Sequence, residues 1–170
     1  MSIAQSLLPE FDYEMANTRK MLERLPEDKL EYKPDPKSMT LGRLAGHVAE
    51  MVTWGSVTLQ TETLNLDGGD YKPMTATGRQ QLLDFFDKNV AEARGVIEKA
   101  SDADFMKTWS LIYGGKPVLT MPRVGVIRSM VMNHTIHHRA QLSVYYRLNG
   151  IPVPGMYGPS ADDAAFAAGS

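Results

Sequence analysis

Three of the chain's four histidines fall where a helix would normally carry leucines. In "RSMVMNHTIHHRAQLSVYYRLNG", residues 128–150, His134 and His138 stand four positions apart on the apolar stripe. At about 100° per residue the two side chains project within roughly 40° of each other. That spacing lets two imidazole nitrogens meet one metal ion at about 2 Å from each. His47 holds a similar place between Leu44 and Met51 on an earlier helical stretch and is the candidate third ligand. Three inward imidazoles without a metal need three separate hydrogen-bond partners, whereas one divalent cation satisfies all three. His137 lies about 60° to the other flank, which suits a residue behind the ligands or at an interface. The bland alternative is a metal-free core with each ring simply packed and hydrogen-bonded.

Known metal motifs narrow the chemistry. A zincin needs Glu directly after its first histidine, and Thr135 stands there. A di-iron bundle needs several inward carboxylates, and the helix around His134 has none, since no Asp or Glu occurs between Asp104 and Asp162. Glu50 follows His47 by three and is read as a solvated neighbour, with a fourth ligand or a base behind the ligands as alternatives. Gln141 points inward and can orient a ligand or a metal-bound water. With no cysteine, the chain has neither a thiolate metal site nor a thiol nucleophile of its own.

Lys107, Lys116, Arg123, Arg128, Arg139 and Arg147 crowd the acid-free stretch. They are expected to pair with acids on neighbouring helices, such as Asp84, Asp87 and Glu92; the alternative is a positive rim for an anionic small molecule. The net charge of −2 offers no overall attraction to nucleic acid.

Four amphipathic segments must position these residues. They run over about Ile3–Leu25, from a Thr40 cap to about Thr61, over about Ala76–Ala100, and from Pro122 to a stop at Asn149-Gly150. "LNLDGGDYKPM" reads as a loop, and SDADF as a short turn or helix. "TWSLIYGGKPVLTM" reads as a hairpin turning at Gly114-Gly115. Trp109 and Tyr113 on that hairpin are candidate lid residues over the histidines, while Trp54 reads as core. The proline-rich tail "IPVPGMYGPSADD" should pack as an ordered loop, with AAFAAGS fraying. The expected architecture is all-α: one domain over residues 1–170, with a tail from about 160. It is a four-helix bundle with a small β-hairpin between helices three and four. Neither a membrane-spanning run nor a secretory signal is visible, so a cytoplasmic protein with no membrane partner is expected.

"LGRLAGHVAEM", "NHTIHHRAQL" and "YYRLNGIPVPGMYGPSADD" together resemble the DinB-like family of metal-binding proteins over nearly the whole chain. The most specific part is His-x-x-x-His followed by Arg139 and Gln141; Ala140 stands where the family often has Gly. The resemblance implies a helical bundle with His47, His134 and His138 on one divalent ion, often nickel or zinc, and frequently a homodimer. Its characterised members include transferases and isomerases that use a low-molecular-weight thiol such as bacillithiol or mycothiol. The expected function is therefore a metal-dependent, S-transferase-type enzyme acting on a small electrophilic substrate. A metal-activated hydrolase and a non-catalytic, metal-stapled helical binding or dimerisation module are the alternatives.

Overall fold

The computed structural model describes residues 1–68 and 71–163. Helix α1 spans Ile3–Leu22 and opens on a capping box: Ser2 Oγ accepts from the Gln5 amide while Gln5 reaches back to the Ser2 amide. Its buried stripe of Leu7, Phe11, Met15 and Leu22 packs along α4 (Arg79–Lys99), which contributes Leu82, Phe86, Ala93 and Ile97. Helix α2 (Leu41–Glu50) starts at Thr40, whose hydroxyl accepts from the Arg43 amide at 3.1 Å.

The second expected helix does not continue unbroken to Thr61. It stops at Glu50 and resumes as α3 (Thr53–Gln60). The cause is local: Thr53 Oγ1 donates to the Glu50 carbonyl at 2.7 Å, an acceptor that a continuous helix would give to the Trp54 amide. That amide turns instead to Met51 O.

The loop expected at residues 64–74 also holds a strand. β1 (Thr63–Asn65) runs parallel to β2 (Thr108–Tyr113), which pairs antiparallel with β3 (Lys116–Pro122). The hairpin is therefore two-thirds of a three-stranded mixed sheet in the order β1-β2-β3. Its turn lies at Gly114-Gly115, where φ of 59° and 69° favours glycine. Between α4 and β2, Ser101 and Asp104 form a second capping box for α5 (Asp102–Met106).

The last helix begins as α6 (Arg123–Val126), widens to a π-helix over Ile127–Asn133, and continues as α7 (His134–Leu148). Within it, Ser129 Oγ takes the Gly125 carbonyl at 2.7 Å. The wider turn rephases everything before His134. Met130 then packs with Trp54 and Trp109. The helix ends before Gly150, at φ 69°. The tail packs as an ordered loop through Tyr157, whose hydroxyl donates to Glu14; AAFAAGS lies outside the described residues. The chain is thus mostly helical with a small sheet. A main core lies between α1, α2, α4 and α7, and a second, around Trp54, Trp109, Leu111 and Val131, lies beneath the sheet.

Candidate metal centre

His47 is carried on α2, while His134 and His138 occupy the first two turns of α7, which packs against α2. The three offer one ring nitrogen each, and all of these lie within 4.8 Å of one another. Ring centroids are 5.3 Å apart for His47 and His134, 4.5 Å for His47 and His138, and 4.6 Å for His134 and His138. The expected convergence of residues 47, 134 and 138 is what the structure has.

Each ring's orientation follows from the group behind it. His47 Nδ1 lies 2.6 Å from Glu50 Oε1, so Nδ1–H donates there and Nε2 keeps its lone pair. His138 Nδ1 lies 2.6 Å from Gln141 Oε1, which leaves its Nε2 as an acceptor, 2.8 Å from His134 Nε2. Two lone pairs cannot face each other at that distance. Either His134 Nε2–H donates to His138, or a cation takes the proton's place. His134 Nδ1 is buried and makes no well-formed hydrogen bond among the described residues. Burial, then the charges of His47 and His137, push the His134 imidazole down. Burial takes His138 to about 4 against the opposing Gln141 hydrogen bond, with the neighbouring histidines adding to the fall. Both rings are therefore neutral near pH 7, the form that ligates metals.

Glu50 is not a solvated neighbour. It is 3% exposed and fixed from four sides. Besides His47, its carboxylate accepts from Arg43 Nη2 at 2.8 Å, Tyr71 Oη at 2.7 Å and the Met74 amide at 2.5 Å. Burial alone would raise its pKa; the hydrogen bonds from His47, Met74, Tyr71 and Arg43 outweigh it and hold the carboxyl below its usual range. Burial and the bond to Glu50 push the Tyr71 phenol up to about 12. The segment carrying Tyr71 and Met74 reaches α2 because Gly46 has no side chain: a Cβ there would stand 2.2 Å from Met74 O. Arg43, Tyr71 and Met74 were not foreseen from sequence. Arg43, His47 and Glu50 at i, i+4 and i+7 do share one helix face, and that was the available signal.

Other expected residues fall elsewhere. His137 is exposed, its ring beside His138 at 4.8 Å. Gln141 is an exposed rim residue rather than an inward one, yet it does orient a histidine. Arg139 turns away into a buried knot: Nη2 donates to Glu14 Oε2 at 2.7 Å and to Tyr157 Oη at 2.7 Å, and Nη1 to Thr18 Oγ1 at 3.0 Å. Arg128 pairs with Glu10, Arg147 with Asp162 and Lys107 with Asp104. Among the described residues, four of the six cations pair with acids, Arg128 and Arg139 with Glu10 and Glu14 on the neighbouring α1 as expected. Asp87, though, belongs to Arg19, and Arg123 donates instead to the Thr61 carbonyl. Trp109 is fully buried, its indole N–H donating to Thr61 Oγ1, and Tyr113 is 60% exposed, so neither covers the histidines. Trp54 is core, as expected.

Residues 10–142, well over half of the chain, match the family model described as the DinB superfamily. The chain belongs to the DinB superfamily. Residues 120–169 also match the DinB family model, so the matches reach both the His47 helix and the His134–His138 helix. Among superfamily relatives, the uncharacterized protein YrdA of Bacillus subtilis (strain 168) is 28% identical over 159 residues, spanning 93% of this chain and 90% of its own. A DinB-like protein of Bacillus cereus ATCC 10987 has a similar solved structure: TM-score 0.69, 27% identity, 92% of this chain and 98% of that one covered. The DinB-like protein YjoA of B. subtilis shares the fold at TM-score 0.68 and 16% identity, over 91% of this chain and 99% of its own.

Proposed function

We propose that His47, His134 and His138 hold one divalent cation, nickel or zinc as the family resemblance implies, and that the protein is a metal-dependent enzyme. Its reaction is the transfer of a small thiol cosubstrate to a small electrophile. The observation that carries this reading is the convergence of three ring nitrogens within 4.8 Å, two of the rings locked through Nδ1 by Glu50 and Gln141. An ion bound there would take one ring nitrogen from each of the three histidines. A bound divalent cation supplies positive charge that makes a thiol or a water acidic enough to react near neutral pH.

The protein's own groups do the rest. Glu50 and Gln141 hold the rings in the ligating tautomer, and Arg43 and Tyr71 hold Glu50 in place. In the transfer, the sulfur–carbon bond forms as the leaving group departs with its electron pair and the thiol proton is released. Because the chain has no cysteine, the thiol arrives from outside. The same reading takes α2–α3 and α6–α7 as kinked legs of a four-helix bundle with α1 and α4, and the working unit as a homodimer.

The test uses protein purified without metal-affinity resin. Elemental analysis should find about one divalent ion per chain, absent from His138→Ala, and conjugation of 2-mercaptoethanol to 1-chloro-2,4-dinitrobenzene should require the ion. Equal rates in the metal-loaded protein and His138→Ala would overturn the metal's role. Hydrolysis of activated esters without added thiol would replace transfer by hydrolysis.

A further inference from the structure

A groove of about 380 Å³ opens beside the histidines, between α7 and the segment leading into α2. His138 and Gln141 line one part of it. The cavities at Arg139, at Trp54 and at Arg123 are lined by none of the three histidines. The groove's walls are apolar: Met39 and Leu44 on one side, Val144 and Tyr145 on the other. Val144 is 55% exposed and Met39 37%, so these apolar groups face water instead of the core. The Tyr145 hydroxyl donates to the Met39 carbonyl at 3.1 Å and ties the two walls together. The polar groups are few and specific. Lys37 is the one Lys or Arg lining the groove; the nearby Asp35 carboxylate accepts from the Lys37 main-chain amide at 2.8 Å, not from its ammonium. Gln141 spends its carbonyl on His138 Nδ1, so its NH₂ remains to donate to a ligand.

We propose that this groove is the substrate subsite, and that it takes a small amphipathic carboxylate whose apolar chain lies between Met39 and Val144 with its anionic end at Lys37. Its volume falls in the ordinary range for small-molecule sites, about 300–1,000 Å³. An apolar trough with one cation and no acid favours a monoanion over a neutral or cationic molecule of the same length. The proposal rests on the metal-centre reading only for the end of the ligand that meets His138 and Gln141; the apolar wall and Lys37 stand without it.

The experiment therefore has a metal-free and a metal-loaded arm. In the first, octanoate, octanol and octyltrimethylammonium are titrated into metal-free protein by NMR. Octanoate should bind several-fold more tightly than the other two, shifting Met39 and Val144 resonances. Val144→Asp should abolish this binding, and Lys37→Glu should remove the preference for the anion; both positions are exposed, and circular dichroism verifies that the fold is kept. Equal binding of the three probes, or unchanged binding in both variants, would overturn the proposal. In the second arm, acetohydroxamate and octanohydroxamate are titrated into the cobalt-loaded protein and followed by the cobalt absorption bands. The longer probe should bind at least tenfold more tightly in wild type and with no advantage in Val144→Asp. No cobalt spectrum at all would defeat the metal centre and leave the octanoate result to decide the groove. A cobalt spectrum with no dependence on chain length would defeat the groove alone.

Discussion

Glu50 shows how one carboxylate governs a site it does not enter. It holds His47 through Nδ1 while Arg43, Tyr71 and the Met74 amide saturate its oxygens. Outer partners of this kind typically account for 10–100-fold in metal affinity. Glu50→Gln should weaken zinc binding by about that factor in chelator competition, beyond the stability that the metal-free protein loses with the Arg43–Glu50 pair. A loss of affinity no larger than the loss of stability would argue against the positioning role. The neutral histidines make a second prediction. His138 titrates at about 4 in the fold and at 6.5 when free, and His134 shifts in the same direction. Below pH 6.5 the unfolded chain takes up protons that the folded one refuses. Stability of the metal-free protein should therefore fall as pH drops from 6.5 through about 4, with no contribution to the slope above 6.5. Thermal melts across that range check it, with His138→Asn giving a shallower fall. The clustering of the three histidines was legible in sequence, His134 and His138 from their i, i+4 spacing and His47 from its place on an apolar stripe. The role of Glu50 was not, because a three-residue offset from His47 says nothing of a loop that folds over it from twenty residues away.

At the scale of elements, the α2 helix carries His47 on one side and meets the strap at residues 71–76 on the other. Gly42 and Gly46 leave that second side bare, and Ala76 N donates to the Gly42 carbonyl at 3.0 Å. Gly46→Ala would drive a methyl group into the Met74 carbonyl. It should cost stability at the upper end of ordinary single substitutions, about 3 kcal/mol, and weaken metal binding, as read by denaturant melts and zinc competition. The helical character of the four segments was readable from apolar periodicity. The interruptions were not: Thr53 ends α2 by claiming one carbonyl, and the π turn before His134 adds a residue without changing composition. β1 escaped because three residues carry no period, and its partner strand lies more than forty positions away.

Over the molecule as a whole, the buried Arg139–Glu14 pair locks the ligand helix to α1, with Tyr157 of the tail as its cover. His138 and Arg139 are neighbours in sequence, so the same turn that offers a ring to the site anchors its backbone to the core. Removing one partner strands a buried charge. Glu14→Gln or Arg139→Met should cost about 3–5 kcal/mol, and the double replacement by apolar residues should recover much of it. No described helix is long and apolar enough to cross a membrane.

The hydrogen bond from position 74 to Glu50 comes from the main chain. Its donor is thus indifferent to which side chain follows it, with a single exception. Met74→Leu should keep the site intact, whereas Met74→Pro, lacking an N–H, should unfasten the carboxylate and, through it, the ring of His47. Position 74 can drift in composition while the centre beneath it stays the same, so long as no imino acid enters there; Tyr71, which reaches Glu50 through its side chain, has no such freedom.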